Sequence, residues 1–146
     1  MVLILAAGTL AGCGCTSPIE RDTPFARAIE RRVDELSRTG PQGATWRVDE
    51  LADFPWDRVY YFPEEYASYR EINAAVGEKV FEGCGERPSF GQGAYLIFTR
   101  RGEVVHAVSV LAELVGADEQ SYPRTVLLKA TTRDPGPYSL ELVNRR

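Results

Sequence analysis

Apolar positions along the chain fall into short blocks, and the spacing inside each block changes wherever glycine or proline interrupts it. Phe25, Ile29, Val33 and Leu36 recur at helical spacing. Thr23 precedes Pro24, an N-cap followed by proline at the one helical position where its missing N–H costs nothing. Gly40-Pro41 stops the segment, so a helix is predicted over residues 24–38. Trp46 and Val48 alternate with Arg47 and Asp49, the pattern of a half-buried strand. After a turn at Phe54-Pro55-Trp56-Asp57, Val59 to Phe62 form a second strand closed by Pro63. A second helix is predicted over 65–76, with Tyr69, Ile72, Ala75 and Val76 inward and Gly77 as terminator. Residues 83–93 form a glycine-rich loop, and 94–99 is apolar on both faces, as the centre of a sheet requires. Arg100-Arg101-Gly102 fits a three-residue hairpin loop, and 103–110 returns as its partner strand. Residues 111–115 either continue that strand or make one helical turn, and 116–120 is polar and loose. Residues 124–132 and 138–143 flank the turn Asp134-Pro135-Gly136-Pro137 as a terminal hairpin.

This order predicts an α+β fold, an antiparallel sheet of about five to six strands with two helices packed on one face. Tight hairpins stand where a parallel sheet would need crossover helices, which disfavours a Rossmann-like or barrel enzyme. Composition narrows the function classes. The 146 residues carry 17 basic and 21 acidic side chains, a net charge of −4 without a basic block. Nucleic acid as a partner is thereby disfavoured, since its phosphates need clustered Lys or Arg.

The first 12 residues are uncharged and run through Val2, Leu3, Ile4 and Leu5 to Leu10. That run is shorter than the ~20 apolar residues a transmembrane helix needs, and it has the length of a signal-peptide apolar region. The other reading of residues 2–10 is a buried amino-terminal strand or helix. Leu10-Ala11-Gly12-Cys13 matches the lipobox, and the chain in this respect resembles bacterial lipoproteins. The resemblance implies cleavage before Cys13, thioether lipidation of its sulfur and acylation of the new amino terminus. The chain then divides into a signal peptide (1–12), a lipidated anchor and polar linker (13–22) and one globular domain (23–146). Its place is the cell envelope, membrane-anchored and facing the periplasm or the exterior. Gly14 after the lipidated cysteine implies, by enteric-type sorting, release to the outer membrane.

With Cys13 acylated, Cys15 and Cys84 are left. An exported compartment permits a disulfide between them, and the alternatives are a buried or idle Cys84 thiol or an intermolecular bond. With Cys13 acylated, two cysteines and one histidine fall short of the four ligands of a structural zinc site, and no cofactor is expected.

His106 is flanked by Val104, Val105, Ala107 and Val108 in a predicted strand, without a signature for a nucleophile or an orienting carboxylate. Ser109 and Ser89 lie in no recognised nucleophile context. The glycines between 83 and 93 precede a strand rather than a helix, so they lack the amide dipoles of a phosphate cradle. Glu64-Glu65, Glu82 with Glu86, and Asp118-Glu119 read as surface charges.

Seven of the 15 aromatic residues lie between 54 and 69: Phe54, Trp56, Tyr60, Tyr61, Phe62, Tyr66 and Tyr69. Rings with polar handles suit sugar stacking or protein interfaces; they equally suit the contact between a strand and the helix that follows it. The run Trp56-Asp57-Arg58-Val59-Tyr60-Tyr61-Phe62, then Glu71-Ile72-Asn73 and Gly77, is also similar to small uncharacterised bacterial lipoproteins with a Trp-Asp-x-Val-Tyr-x-Phe core. The expected function is a non-enzymatic, lipid-anchored binding domain for a protein or glycan, with Trp56 as anchor and Asp57, Tyr60 and Phe62 beside it. An inhibitor or accessory subunit of an envelope enzyme, using the 83–93 loop, is the alternative. A small hydrolase built on His106 is the third.

Overall fold

The computed structural model describes Gly14 and residues 16–39, 43–65, 67–77, 79–83, 93–111, 115–132 and 138–145. The first helix, α1 (Pro24–Thr39), starts as its sequence dictates. The Thr23 hydroxyl accepts the Ala26 N–H at 3.1 Å, a cap of the kind that contributes about 1 kcal/mol. Phe25, Ile29 and Leu36 are buried along one stripe, while Arg32 and Glu35 pair at 2.8 Å on the wet side.

The chain continues through β1 (Thr45–Arg47), α2 (Val48–Leu51), β2 (Arg58–Pro63), α3 (Tyr69–Val76), β3 (Gly93–Arg100) and β4 (Glu103–Leu111). It ends with β5 (Val115–Ala117), β6 (Ser121–Pro123), β7 (Leu127–Thr132) and β8 (Tyr138–Val143). A reciprocal capping box opens α3. The Ser68 hydroxyl accepts the Glu71 N–H at 3.2 Å, and the Glu71 carboxylate accepts the Ser68 N–H at 2.9 Å. Gly77 closes α3 in the left-handed conformation at φ 75°, where a side chain would be strained.

The fold is α+β, as predicted, but the described strands form two sheets rather than one. One is ordered β1-β7-β8-β5 and the other β4-β3-β2-β6, each of four strands. The reason lies in β3, whose residues 93–99 are all buried. A strand without a polar face needs cover on both sides. On one side a core joins α1 (Phe25, Ile29, Leu36), the second sheet (Val59, Leu96, Phe98, Val108) and the first sheet (Leu128, Leu140, Leu142). On the other, Ile72 and Val76 of α3 pack with Val80 and Phe81 over Phe62, Tyr95, Ile97 and Ala107. The two predicted helices therefore lie on opposite faces of the β4-β3-β2-β6 sheet, not on one.

Three local differences follow from short-range chemistry. Val48 begins α2 instead of ending a strand, which adds a third helix. The polar stretch around 116–120 separates two three-residue edge strands, and β5 runs parallel to β8. The β3–β4 turn is tighter than a three-residue loop, because Arg100 pairs with Glu103 and leaves only Arg101 (φ 54°) and Gly102 (φ 82°) between them.

The segment predicted as a polar linker is stitched into the domain. Thr16 and Glu82 exchange two backbone hydrogen bonds, of 2.9 and 3.2 Å. Further on, the Glu20 N–H donates to the Ala107 carbonyl at 3.0 Å and the Glu20 carbonyl accepts the Ser109 N–H at 2.8 Å. Glu20 thus covers the outer edge of β4 between Ala107 and Ser109, groups that would otherwise be open to strand pairing.

Candidate functional site

The aromatic segment is placed by β2, and alternation sends its side chains to two cores. Val59 and Tyr61 face the core between the sheets, and Tyr60 and Phe62 face the core under α3. Trp56 and Phe62 are each 2% exposed, so both rings are core residues, the residue expected as anchor among them. The Trp56 ring meets Phe98 edge-on at 5.1 Å between centroids, and among the described residues its indole N–H has no hydrogen-bond partner. Tyr60 is half-buried and stacks on Phe62 at 6.4 Å. Asp57 is exposed, but its carboxylate accepts the Arg101 N–H at 2.7 Å and so holds the left-handed turn residue. Aromatic density in this window reflects a strand that must fill a core on each side.

His106 lies on the opposite side of β4 from Ala107, its ring 4.5 Å from that of Phe54. Nε2 is buried and makes no hydrogen bond. Burial pushes the imidazole below its ordinary value, outweighing the opposite pull of the Glu20 and Asp53 carboxylates. Among the described residues, no carboxylate or hydroxyl is hydrogen-bonded to Nε2, the contact by which a general base would be oriented.

Glu64 departs from the sequence reading as a surface charge. It is 3% exposed, and its Oε1 accepts a hydrogen bond from the Ser109 hydroxyl across the end of β3. The intervening residue is Gly93, where a Cβ would stand 3.0 Å from that oxygen and 2.4 Å from the Val110 carbonyl. The signal for this pair was Gly93 itself, a glycine at the start of an otherwise apolar strand, which marks a close approach. Cys13, Cys15, Cys84 and most of the 83–93 loop lie outside the described residues.

Two surface clefts among the described residues bear on recognition. One, of about 590 Å³, runs beside α3 and is lined by Phe62, Pro63, Ala67, Glu71, Ala74, Ala75 and Gln120. The other, of about 650 Å³, is polar and lined by Asp118, Glu119, Lys129, Val143 and Asn144. Behind the polar cleft, the Tyr122 hydroxyl donates to Asp118 and accepts the Glu119 N–H, both at 2.7 Å. Burial, reinforced by the bond to Asp118, holds that phenol well above its usual range, so it stays protonated as a fixed donor. Asn144 donates to Glu119 at 2.8 Å, which orients a second carboxylate. The cleft thus offers acceptors from Asp118 and Glu119 and donors from Lys129 and Asn144. Sequence patterning could not find it, because its residues come from the β5–β6 turn, β7 and the carboxyl-terminal end.

Among the described residues, no group of three or more potential ligands could hold a metal ion, and no helix is long and apolar enough to cross a membrane. No family model, curated protein or solved structure matches the chain.

Proposed function

We propose that this chain is a lipid-anchored domain of the bacterial cell envelope that works by binding a protein or glycan, without catalysing a reaction. The carrying observation is the run Leu10-Ala11-Gly12-Cys13, a lipobox-like stretch whose cysteine stands three residues before Thr16, where the chain joins the domain. Several acyl chains on one cysteine give stable anchoring where a single chain would not. Recognition is assigned to the polar cleft of Asp118, Glu119, Lys129 and Asn144, whose mixed donors and acceptors suit a hydroxyl-rich or polar ligand. In the same exported setting, Cys15 and Cys84 form a disulfide. Support comes from the residues beside them: Thr16 pairs with Glu82, and the Gly14 carbonyl oxygen lies 3.2 Å from where a Gly83 Cβ would be.

Two experiments test the reading. Cys13→Ala should abolish fatty-acid labelling and processing in a bacterial host, and a labelled, processed mutant overturns the anchor. A photocrosslinking residue in place of Lys129 should capture an envelope protein or glycan in intact cells. The same residue in place of Glu30, exposed on α1, should not, and equal capture at both positions overturns the cleft assignment.

A further inference from the structure

The proposed anchor and the observed pairing of the amino-terminal segment together constrain how the domain sits in the envelope. Cys13 and Thr16 are three residues apart, so the chain between them spans at most about 11 Å. Thr16 is not part of a free stalk. It exchanges two backbone hydrogen bonds with Glu82, and four residues later Glu20 is held on the β4 edge by two more. The body behind this attachment is much larger than the tether. A domain of about 130 residues has a radius of gyration of about 14 Å, hence a diameter several times the reach of the connecting chain.

From this mismatch we propose that the domain lies flush on the lipid surface, with the layer that carries Thr16, Lys79 and Glu82 against the headgroups and the β1-β7-β8-β5 sheet directed away. The layer order supports the assignment. Ile19 and Phe81, the inward neighbours of the Thr16–Glu82 junction, belong to the core under α3, on the far side of the β4-β3-β2-β6 sheet from β7 and β8. Among the described residues, the exposed side chains at the junction are Thr16, Ser17, Pro18, Lys79 and Glu82, with Glu20 farther along the β4 edge. Apart from Pro18 they are polar and of mixed sign, which fits contact with hydrated headgroups. Orientation is thus imposed by the short tether and the paired segment, not by charge attraction to anionic lipid. It leaves the polar cleft, whose Lys129 lies on β7, on the side open to partners.

The inference rests on the lipid-anchor reading above, and its test separates the two. Mature protein is reconstituted in phosphatidylethanolamine–phosphatidylglycerol vesicles with a photocrosslinking residue in place of either Lys79 or Lys129, both exposed. Position 79 should give a severalfold higher yield of lipid adduct than position 129, and the Thr16 and Glu20 amides should resist hydrogen exchange. Acylated protein with equal adduct yields at the two positions, or with freely exchanging Thr16 and Glu20 amides, overturns the flush orientation and leaves the anchor intact. An amino-terminal peptide without lipid overturns both.

Discussion

Glu64 and Ser109 meet over Gly93: the buried carboxylate at the end of β2 reaches across the neighbouring strand to a hydroxyl on β4, through the space where any other residue would carry a side chain. Gly93→Ala should therefore force either the Val110 carbonyl or the Glu64 carboxylate out of place. Overpacking of this kind costs about 1–3 kcal/mol. Urea denaturation should show a lower midpoint with an unchanged slope; a wild-type midpoint would mean that the strand end yields freely.

Trp56 tests whether the aromatic segment is interior. Removing its volume in Trp56→Ala should cost about 3–5 kcal/mol. Trp56→Phe loses part of that volume but also removes a buried, unpaired N–H, whose desolvation costs about 1–3 kcal/mol, so its net effect should be small. Neither variant that remains folded should change what is captured through position 129. A folded Trp56→Phe protein that loses its partner would restore Trp56 to the recognition surface.

His106 should make stability depend on pH. Its folded-state value is depressed by burial below the ordinary 6.5, so near neutrality the unfolded chain binds more protons than the folded one. The contribution of the neutral imidazole is fully present above about pH 6.5 and is lost as pH falls through the depressed folded value. Thermal melts between pH 7.5 and pH 5 should show a fall in Tm that His106→Phe reduces. A parallel fall in both proteins would assign the pH response to the carboxylates instead.

The proposed bridge between Cys15 and Cys84 has a direct assay. Non-reducing digestion of protein matured in its exported compartment should give a joined peptide that separates on reduction. Cys84→Ser should remove it and lower stability by about 2–4 kcal/mol, as for loops of this length. Free, alkylatable thiols at both positions in the mature protein would refute the bridge.

What the sequence made legible was local. The Thr23-Pro24 start and the 25, 29, 33, 36 spacing locate α1 within a residue, and Gly77 marks the end of α3. The two hairpins, β3–β4 and β7–β8, follow from alternation and turn residues. The helix α3 begins later than apolar spacing alone suggests, because Ser68 and Glu71 cap it, a signature present in the sequence and more decisive than the periodicity. Partition into two sheets was not legible. It depends on which distant strands cover the second face of β3, and three-residue strands such as β5 and β6 are too short to show alternation. The site suffered most from the same cause. Aromatic side chains that suggest a contact surface in isolation fill cores on both faces of β2, while the polar cleft is assembled from residues 118 to 144 by sheet pairing. The docking of 16–20 uses backbone groups, which no side-chain pattern reveals.

Glu20, at the end of the strip that Thr16 fastens to Glu82, caps the outer edge of β4 at Ala107–Ser109, and this bears on how shortened versions of the protein are made. A truncation that starts at the first helix looks harmless from composition, since it discards only a polar stretch. It would, however, uncover the Ala107 carbonyl and the Ser109 N–H in the middle of a nine-residue strand and lengthen the open edge that another copy could pair with. Recombinant protein that begins at Pro24 should form oligomers or aggregates during size-exclusion chromatography, whereas material that retains Thr16 onward should elute as a monomer.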